Sequence, residues 1–262
     1  MKKIISNEAP LQSGLIFLII IICIIQVGCK KEKPDFFHNL IAEGCVPNTV
    51  NLNEPHLGGY NDVYKYENGR LTGFGYFRYE YEDGLVKRIR LGENRYEEYF
   101  YNNEFKVIQS IQYWRDDQVE EFIAVDDKTY LYNDSLIVEV IDNDDNITHK
   151  ISYYPNTSNI DSIKTFNSDF ELTEVNTFQY DQFNNVFKNL LMPKYNFFWW
   201  IEKGSDNNVT EHKIVKLLPA DDTIIFYNSF KYNDYNYPIE INGSKANSTY
   251  TTKTTISYVN CE

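Results

Sequence analysis

The residues of this 262-residue chain that could do chemistry are scattered along it. Its four histidines are His38, His56, His149 and His212. No His-Glu-x-x-His zinc helix, Gly-x-Ser-x-Gly nucleophile elbow or Gly-x-x-x-x-Gly-Lys phosphate loop occurs. His149 sits in the alternating run Ile147-Thr148-His149-Lys150-Ile151 and reads as a residue on one strand face. Asp142-Asn143-Asp144-Asp145-Asn146 sets oxygen ligands at the first, third and fifth places of a calcium loop. Ile147, however, stands where that loop needs glycine, and Ser152 and Tyr153 stand where the bidentate acid belongs. A hairpin turn accounts for the segment. Asp126-Asp127 and Asp221-Asp222 read as loop residues, because a glycosidase needs two carboxylates roughly 5 to 10 Å apart across a cleft. No catalytic residue, metal ligand or cofactor is assigned.

Phe197-Phe198-Trp199-Trp200, followed by Ile201, is the most apolar stretch after the N-terminal region. Exposed, these rings are platforms for stacking on sugars or docking a partner. Buried, they form a strand covered on both faces, the commoner fate of large apolar side chains. Phe197, Phe198, Trp199 and Trp200 are the candidate ligand-binding residues.

Charge narrows the partners. Against 25 Lys and Arg stand 38 Asp and Glu, a formal charge of −13 that repels phosphate backbones and excludes nucleic-acid binding through a basic surface. The 29 Asn, 22 Tyr and 17 Phe against 5 Ala favour turns and strands over helices.

The N-terminus is an address. Lys2 and Lys3 precede an unbroken apolar run of 11 residues, Leu15 to Ile25. That is short of the roughly 20 residues of a spanning helix and has the length of a signal-peptide core. Gly28-Cys29 at its end resembles a bacterial lipobox, in which the Cys thiol is diacylated and becomes the first residue of the mature chain; Gln26 stands where an aliphatic residue is usual. An uncleaved anchor and an ordinary signal peptide are the competing readings. Lys30 to Asp35 would then be a tether, partly resembling the export signals of surface-exposed Bacteroidota lipoproteins. Cleavage before Cys29 leaves 23 basic and 37 acidic residues, a charge of −14.

Cys23 leaves with the signal, and Cys29 is the lipidation residue. Cys45 and Cys261 remain, two thiols in a chain sent to an oxidising compartment. They are expected to pair, closing a loop for which the chain-entropy model gives roughly 5 kcal/mol. Two separate free thiols are the alternative.

A phrase recurs in the mature chain: Tyr66-Glu67-Asn68-Gly69-Arg70-Leu71, Tyr81-Glu82-Asp83-Gly84-Leu85, Tyr101-Asn102-Asn103-Glu104-Phe105 and Tyr132-Asn133-Asp134-Ser135-Leu136. Each is an aromatic strand end, turn formers that accept positive φ, and an apolar restart. Looser copies stand at Tyr154-Pro155-Asn156, Tyr180-Asp181 and Tyr232-Asn233-Asp234. Between turns the period is two. Phe77, Tyr79 and Tyr81 alternate with Arg78 and Glu80, then Leu85, Ile89 and Leu91 with Arg88 and Arg90. Phe105, Val107, Ile111 and Tyr113 are placed on one face, with Lys106, Ser110 and Gln112 on the other. Spacings of 15, 20 and 31 residues make this a meander with variable loops. Asp35 to Glu43 and Asn185 to Met192 carry helical spacing, the second ended by Pro193.

The hairpins, the Tyr180 to Lys188 segment, Asn207-Asn208-Val209-Thr210, the late Tyr237-Pro238 and the strand Ile256-Ser257-Tyr258 together resemble a family of uncharacterised Bacteroidota lipoproteins. That family is built as curved, porin-like antiparallel β structures, distantly similar to YD-repeat sheets. The resemblance runs from about Tyr60 to Cys261, with Val186 where Pro is common. It implies the fold and an envelope setting, and it carries over no catalytic residue. Ser135, Ser162 and Thr223, each between an Asp and an aliphatic residue, fit the Bacteroidota O-glycosylation pattern.

The expected organisation is a signal peptide (1–28), a tether with a short helix (29–44) and one mainly all-β domain (45–262). The domain is an antiparallel meander forming a curved sheet or partly closed barrel, with one or two short helices. The expected role is a non-enzymatic binding, adhesion or assembly module, held to the bacterial outer membrane by the lipid on Cys29. A glycan or an envelope protein is the expected partner. A glycan-binding accessory lipoprotein and an envelope hydrolase with carboxylates from separate loops are the alternatives.

Overall fold

The computed structural model describes residues 45–53, 60–67, 70–116, 119–142, 144, 146–187, 205–218 and 221–261. Alternating aromatic and charged residues between turn formers become seventeen strands: β1 (Val46–Asn53), β2 (Tyr60–Val63), β3 (Lys65–Glu67), β4 (Arg70–Phe74), β5 (Phe77–Glu82), β6 (Leu85–Leu91), β7 (Arg95–Tyr101), β8 (Val107–Asp116), β9 (Glu121–Asn133), β10 (Leu136–Asp142), β11 (Ile147–Tyr153), β12 (Ile160–Phe166), β13 (Leu172–Asn184), β14 (Asn207–Lys216), β15 (Asp222–Tyr232), β16 (Pro238–Lys245) and β17 (Thr251–Val259).

Apart from β2 and β3, sequence neighbours pair antiparallel, and β1 pairs with both β2 and β17, so the sheet returns on itself as a barrel. β2 and β3 act as one strand interrupted at Tyr64, whose N–H donates to the Asn48 carbonyl at 2.9 Å. Closure leaves few edges to satisfy. The Cys45–Cys261 disulfide forms as expected, with Cα atoms 4.4 Å apart, and joins the start of β1 to the end of β17 at this seam.

One rule repeats around the rim where the hairpins turn. A tyrosine near the end of each descending strand pairs with an aliphatic residue or proline near the start of the next, and one extra residue follows before pairing resumes. The pairs are Tyr66↔Leu71, Tyr81↔Val86, Tyr101↔Val107, Tyr132↔Ile137, Tyr153↔Ile160, Tyr180↔Val209, Tyr232↔Pro238 and, across the seam, Tyr258↔Pro47. The barrel is therefore eight hairpin units, with the disulfide in place of the eighth turn. Seven of the phenols reach one unit back and donate to the carbonyl of that unit's paired residue. Tyr81 reaches Leu71, Tyr101 reaches Val86 and Tyr132 reaches Val107, each at 2.7 Å, and Tyr258 reaches Pro238 at 2.8 Å. Tyr66, Tyr153 and Tyr180 do the same to Pro47, Ile137 and Ile160. Each bond gives the carbonyl beside a bulge a side-chain donor.

The bulges correct the expected faces. Because Glu80 pairs with Arg88 but Tyr81 with Val86, the parity of β6 slips, and Val86 is the buried residue where Leu85 was expected. The same slip after Val107 turns Ser110 inward, 2% exposed, and leaves Ile111 and Tyr113 outside. The core lies inside the barrel behind this rim, where the Phe74 ring stacks on Tyr64 at 4.9 Å and on Phe77 at 4.7 Å.

Asp83 and Gly84 take φ of 52° and 87° in the two-residue β5–β6 turn, as Asp-Gly allows. Asp142 Oδ1 accepts from the backbone N–H of Asp144 and Asn146, so the calcium-like segment is the hairpin turn expected. Tyr180 is a corner residue, but no turn follows it directly: β13 continues to Asn184. The described residues contain no helix. At the second expected helix, Asn185 to Phe187 form a turn in which Asn185 Oδ1 captures the Phe187 N–H at 2.8 Å; from Lys188 onward that expectation lies outside the described residues, as does the helix expected at 35–43.

Candidate functional site

The rim rule fails once, and the failure marks a site. At the β13–β14–β15 corner the phenol of Tyr232 should reach the Val209 carbonyl. Asn228 Nδ2 occupies that carbonyl at 3.0 Å, and Tyr232 donates to the Asp181 carboxylate. Burial, reinforced by this carboxylate, pushes the Tyr232 phenol well above its usual pKa. Asp181 also accepts from the N–H groups of Phe183 at 3.0 Å and Asn208 at 3.2 Å, and from Asn208 Nδ2. Departures from a repeated local rule are where function is expected.

Asparagines fill the rest of the corner. Asn159 Oδ1 accepts from the N–H of Asp206 at 2.9 Å and of Asn207 at 3.1 Å, and its Nδ2 donates to Asn207 Oδ1 at 2.8 Å. Asn207 Nδ2 donates to the Phe183 carbonyl, Asn208 Nδ2 to the Asn184 carbonyl and Asn185 Nδ2 to the Asn207 carbonyl. Asn185 N–H meets the Asp206 carbonyl at 3.0 Å, so the chain leaves β13 and returns to β14 at adjoining points. Asn159, Asn185, Ser205 and Asn208 are all buried. A carboxamide both donates and accepts, which lets a few residues satisfy an irregular backbone. The corner holds together the two ends of the connection between β13 and β14.

Inside the barrel a polar belt lies beyond the core. Ser110 Oγ meets Tyr130 Oη at 2.8 Å, Lys128 pairs with Asp126 at 2.7 Å, and His212 Nε2 meets Asn176 Oδ1 at 2.7 Å while Asn176 donates to Glu174. The His212 ring stacks on Phe178 at 4.7 Å. Burial pushes His149 down to about 4, with the Lys128 charge acting the same way and Glu174 opposing both; burial also lowers His212. Both imidazoles are thus neutral near pH 7. His149 faces the interior, as its alternating strand implied.

No protein-family model matches the chain, and no curated protein matches it at a significant level. Solved structures do. A porin-like protein from Bacteroides vulgatus ATCC 8482 superposes with a TM-score of 0.55 over 82% of this chain and 98% of its own, at 12% identity. This barrel shares the porin-like fold. A second porin-like protein, from Bacteroides uniformis ATCC 8492, gives a TM-score of 0.49 at 13% identity over 81% and 97%.

Two patches of the outer wall are charged. Arg88 pairs with Glu80 at 3.4 Å and Glu98 at 3.2 Å, Lys87 pairs with Glu98 at 3.3 Å, and Arg90 pairs with Glu80 across β5–β7. On β15–β17, Glu240 joins Lys231 at 2.7 Å and Lys253 at 2.8 Å. Those contacts hold the Glu240 carboxyl down at about 2.

Of the residues expected from sequence, Ser135 is exposed in the β9–β10 turn, Thr223 is exposed near the start of β15, and Ser162 is half-buried on β12. Cys29 and the four aromatics Phe197, Phe198, Trp199 and Trp200 lie outside the described residues. The corner network was not anticipated. Its one signal was the cluster of Asn at 184, 185, 207 and 208 flanking the aromatic run.

Proposed function

We propose that this chain is an envelope-anchored lipoprotein whose barrel stands in water as a non-enzymatic binding, adhesion or assembly module, tethered to the bacterial outer membrane through acylated Cys29. The observation that carries the reading is the charge on the outer wall. An Arg or Lys at the midplane of a lipid-facing barrel surface costs about 2 to 4 kcal/mol, and the outward ladder of Arg88, Arg90, Glu80 and Glu98 is built for solvent. A soluble barrel then needs a separate membrane attachment, which the Gly28-Cys29 lipobox supplies. Cys29→Ala should abolish labelling by a palmitate analogue and release the chain from the membrane fraction. Retention of the variant in membranes without the acyl group would overturn the reading.

A second reading, a glycan-binding accessory lipoprotein, draws support from the corner. The connection bearing Phe197 to Trp200 departs and returns at Asn185 and Asp206, which the asparagine network fixes. Trp199→Ala should weaken retention on immobilised glycans without lowering the unfolding midpoint.

A further inference from the structure

Beside the Lys231–Glu240–Lys253 ion cluster, the outer wall carries hydroxyls and carboxamides. Register sets the face. Glu240 lies outside with its two lysines, and side chains two residues apart on a strand share a face. Ser229, Asn242, Lys253 and Asn53 therefore form one outward row across β15, β16, β17 and β1, and Tyr227, Ser244 and Thr251 form the next. Tyr227 apart, these residues line a cavity of about 360 Å³. Gly243 and Thr252 give it their backbone, because the space for a Cβ on Gly243 is taken from the inner side by the Thr252 and Asn228 side chains. The ion cluster walls the cavity at one end. At the other, Tyr227, 43% exposed, stands beside Ser244.

The polar groups of this cavity are unspent. Among the described residues, the side chains of Asn53, Ser229, Ser244 and Thr251 make no hydrogen bond within the chain. Asn242 uses its Nδ2 on Glu240 at 3.1 Å and leaves its Oδ1. Lys253, the one charged residue in the lining, is already paired with Glu240 at 2.8 Å. In a chain of net charge −13, the cavity is close to neutral.

We propose that this outer-wall cavity on β15, β16, β17 and β1 binds a neutral saccharide. Hydroxyls and carboxamides both donate and accept, as sugar hydroxyls do. An ionic ligand finds no unpaired charge there. The volume lies at the small end of ligand sites, enough for one sugar ring, and the Tyr227 ring adjoins it for the apolar face of a second.

This names a ligand class for the binding module proposed above, on which it rests, and it uses none of Phe197 to Trp200. The full chain, in a zwitterionic detergent without sugar headgroups, is titrated with maltose, lactose and N,N′-diacetylchitobiose, and with glucuronate as the charged control. Saturation-transfer NMR reads binding, and hydrogen exchange reads its place. At least one disaccharide should bind, with protection at β15–β17, and glucuronate should not. Ser244→Phe and, from a more exposed position, Thr251→Phe fill the cavity and should each weaken binding by about tenfold. Asn242→Leu removes one hydrogen-bonding group and should weaken it by about fivefold. All three variants should keep the wild-type circular dichroism, and Trp199→Ala should leave binding unchanged. Binding of no disaccharide, equal binding of glucuronate, indifference to Thr251→Phe, or loss with Trp199→Ala would each overturn the proposal. Palmitate labelling at Cys29 does not involve the cavity, so either test can fail without the other.

Discussion

Tyr232 donates its phenol to the carboxylate of Asp181, in the same preceding unit in which its seven counterparts find a backbone carbonyl. The substitution of a charged acceptor for a neutral one concentrates stability at that corner. Hydrogen bonds to charged groups contribute about 1.5 to 3 kcal/mol against about 1 for neutral ones. Asp181→Ala also strips two backbone N–H groups of their acceptor, so it should destabilise by about 3 kcal/mol. Tyr232→Phe should cost about 1 to 2 kcal/mol, and the double variant less than the sum, because the two groups share one bond. Urea midpoints at constant m measure all three; strict additivity would show that the two groups act separately.

The regular corners make a complementary prediction. Tyr101→Phe leaves the Val86 carbonyl without its phenol donor, and Tyr132→Phe does the same to Val107. Each should cost about 1 kcal/mol. A Phe in place of Tyr180 should cost more, because Ser205 Oγ donates to that phenol at 3.1 Å as well. Equal midpoint shifts at Tyr101 and Tyr180 would mean that the Ser205 contact contributes nothing.

These corners also explain what could be read from the sequence. The alternation of Phe77, Tyr79 and Tyr81 with Arg78 and Glu80 was legible because β5 pairs without interruption as far as Glu80. Period-two reading then failed just past each turn, at Leu85 and at Ile111, because a bulge exchanges faces without leaving a composition signal. The seam pair Tyr258↔Pro47 joins the two ends of the domain, so no local window contains both halves of that hairpin. The Asp181 site was equally hidden, since its partners Asn208 and Tyr232 arrive from other strands. Apolarity drew attention to Phe197 to Trp200, while the network that holds the ends of their connection consists of amides with no motif of their own.

The buried imidazole of His149 gives the fold a pH dependence of known sign. It gains a proton only near pH 4 in the folded chain, against about 6.5 when unfolded. Between those values the unfolded chain alone takes up the proton. The stability contributed by His149 is therefore complete above pH 6.5 and is lost as pH falls toward 4, by about 3 kcal/mol in all. Comparing urea midpoints at pH 7 and pH 4.5 for the wild type and His149→Gln checks this. The variant should lose part of the acid-side slope, and an unchanged slope would place the titration elsewhere.

The disulfide should act mainly on the unfolded chain. β1 and β17 are joined by seven residue pairs as well as by Cys45–Cys261, so the folded seam has a second means of closure. Without the bond, the denatured chain regains the freedom of a loop whose ends are 216 residues apart, worth about 5 kcal/mol in the chain-entropy model. A cross-linked denatured state is also more compact and exposes less surface. Cys45→Ser with Cys261→Ser should thus lower the urea midpoint and raise m together, with the native β-sheet circular dichroism unchanged. A lower midpoint at unchanged m would move the effect into the folded seam, where β1 and β17 would be held together by the bond rather than by their pairing. Non-reducing mass mapping of the wild type, recovering one peptide that contains both Cys45 and Cys261, fixes the starting point of that comparison.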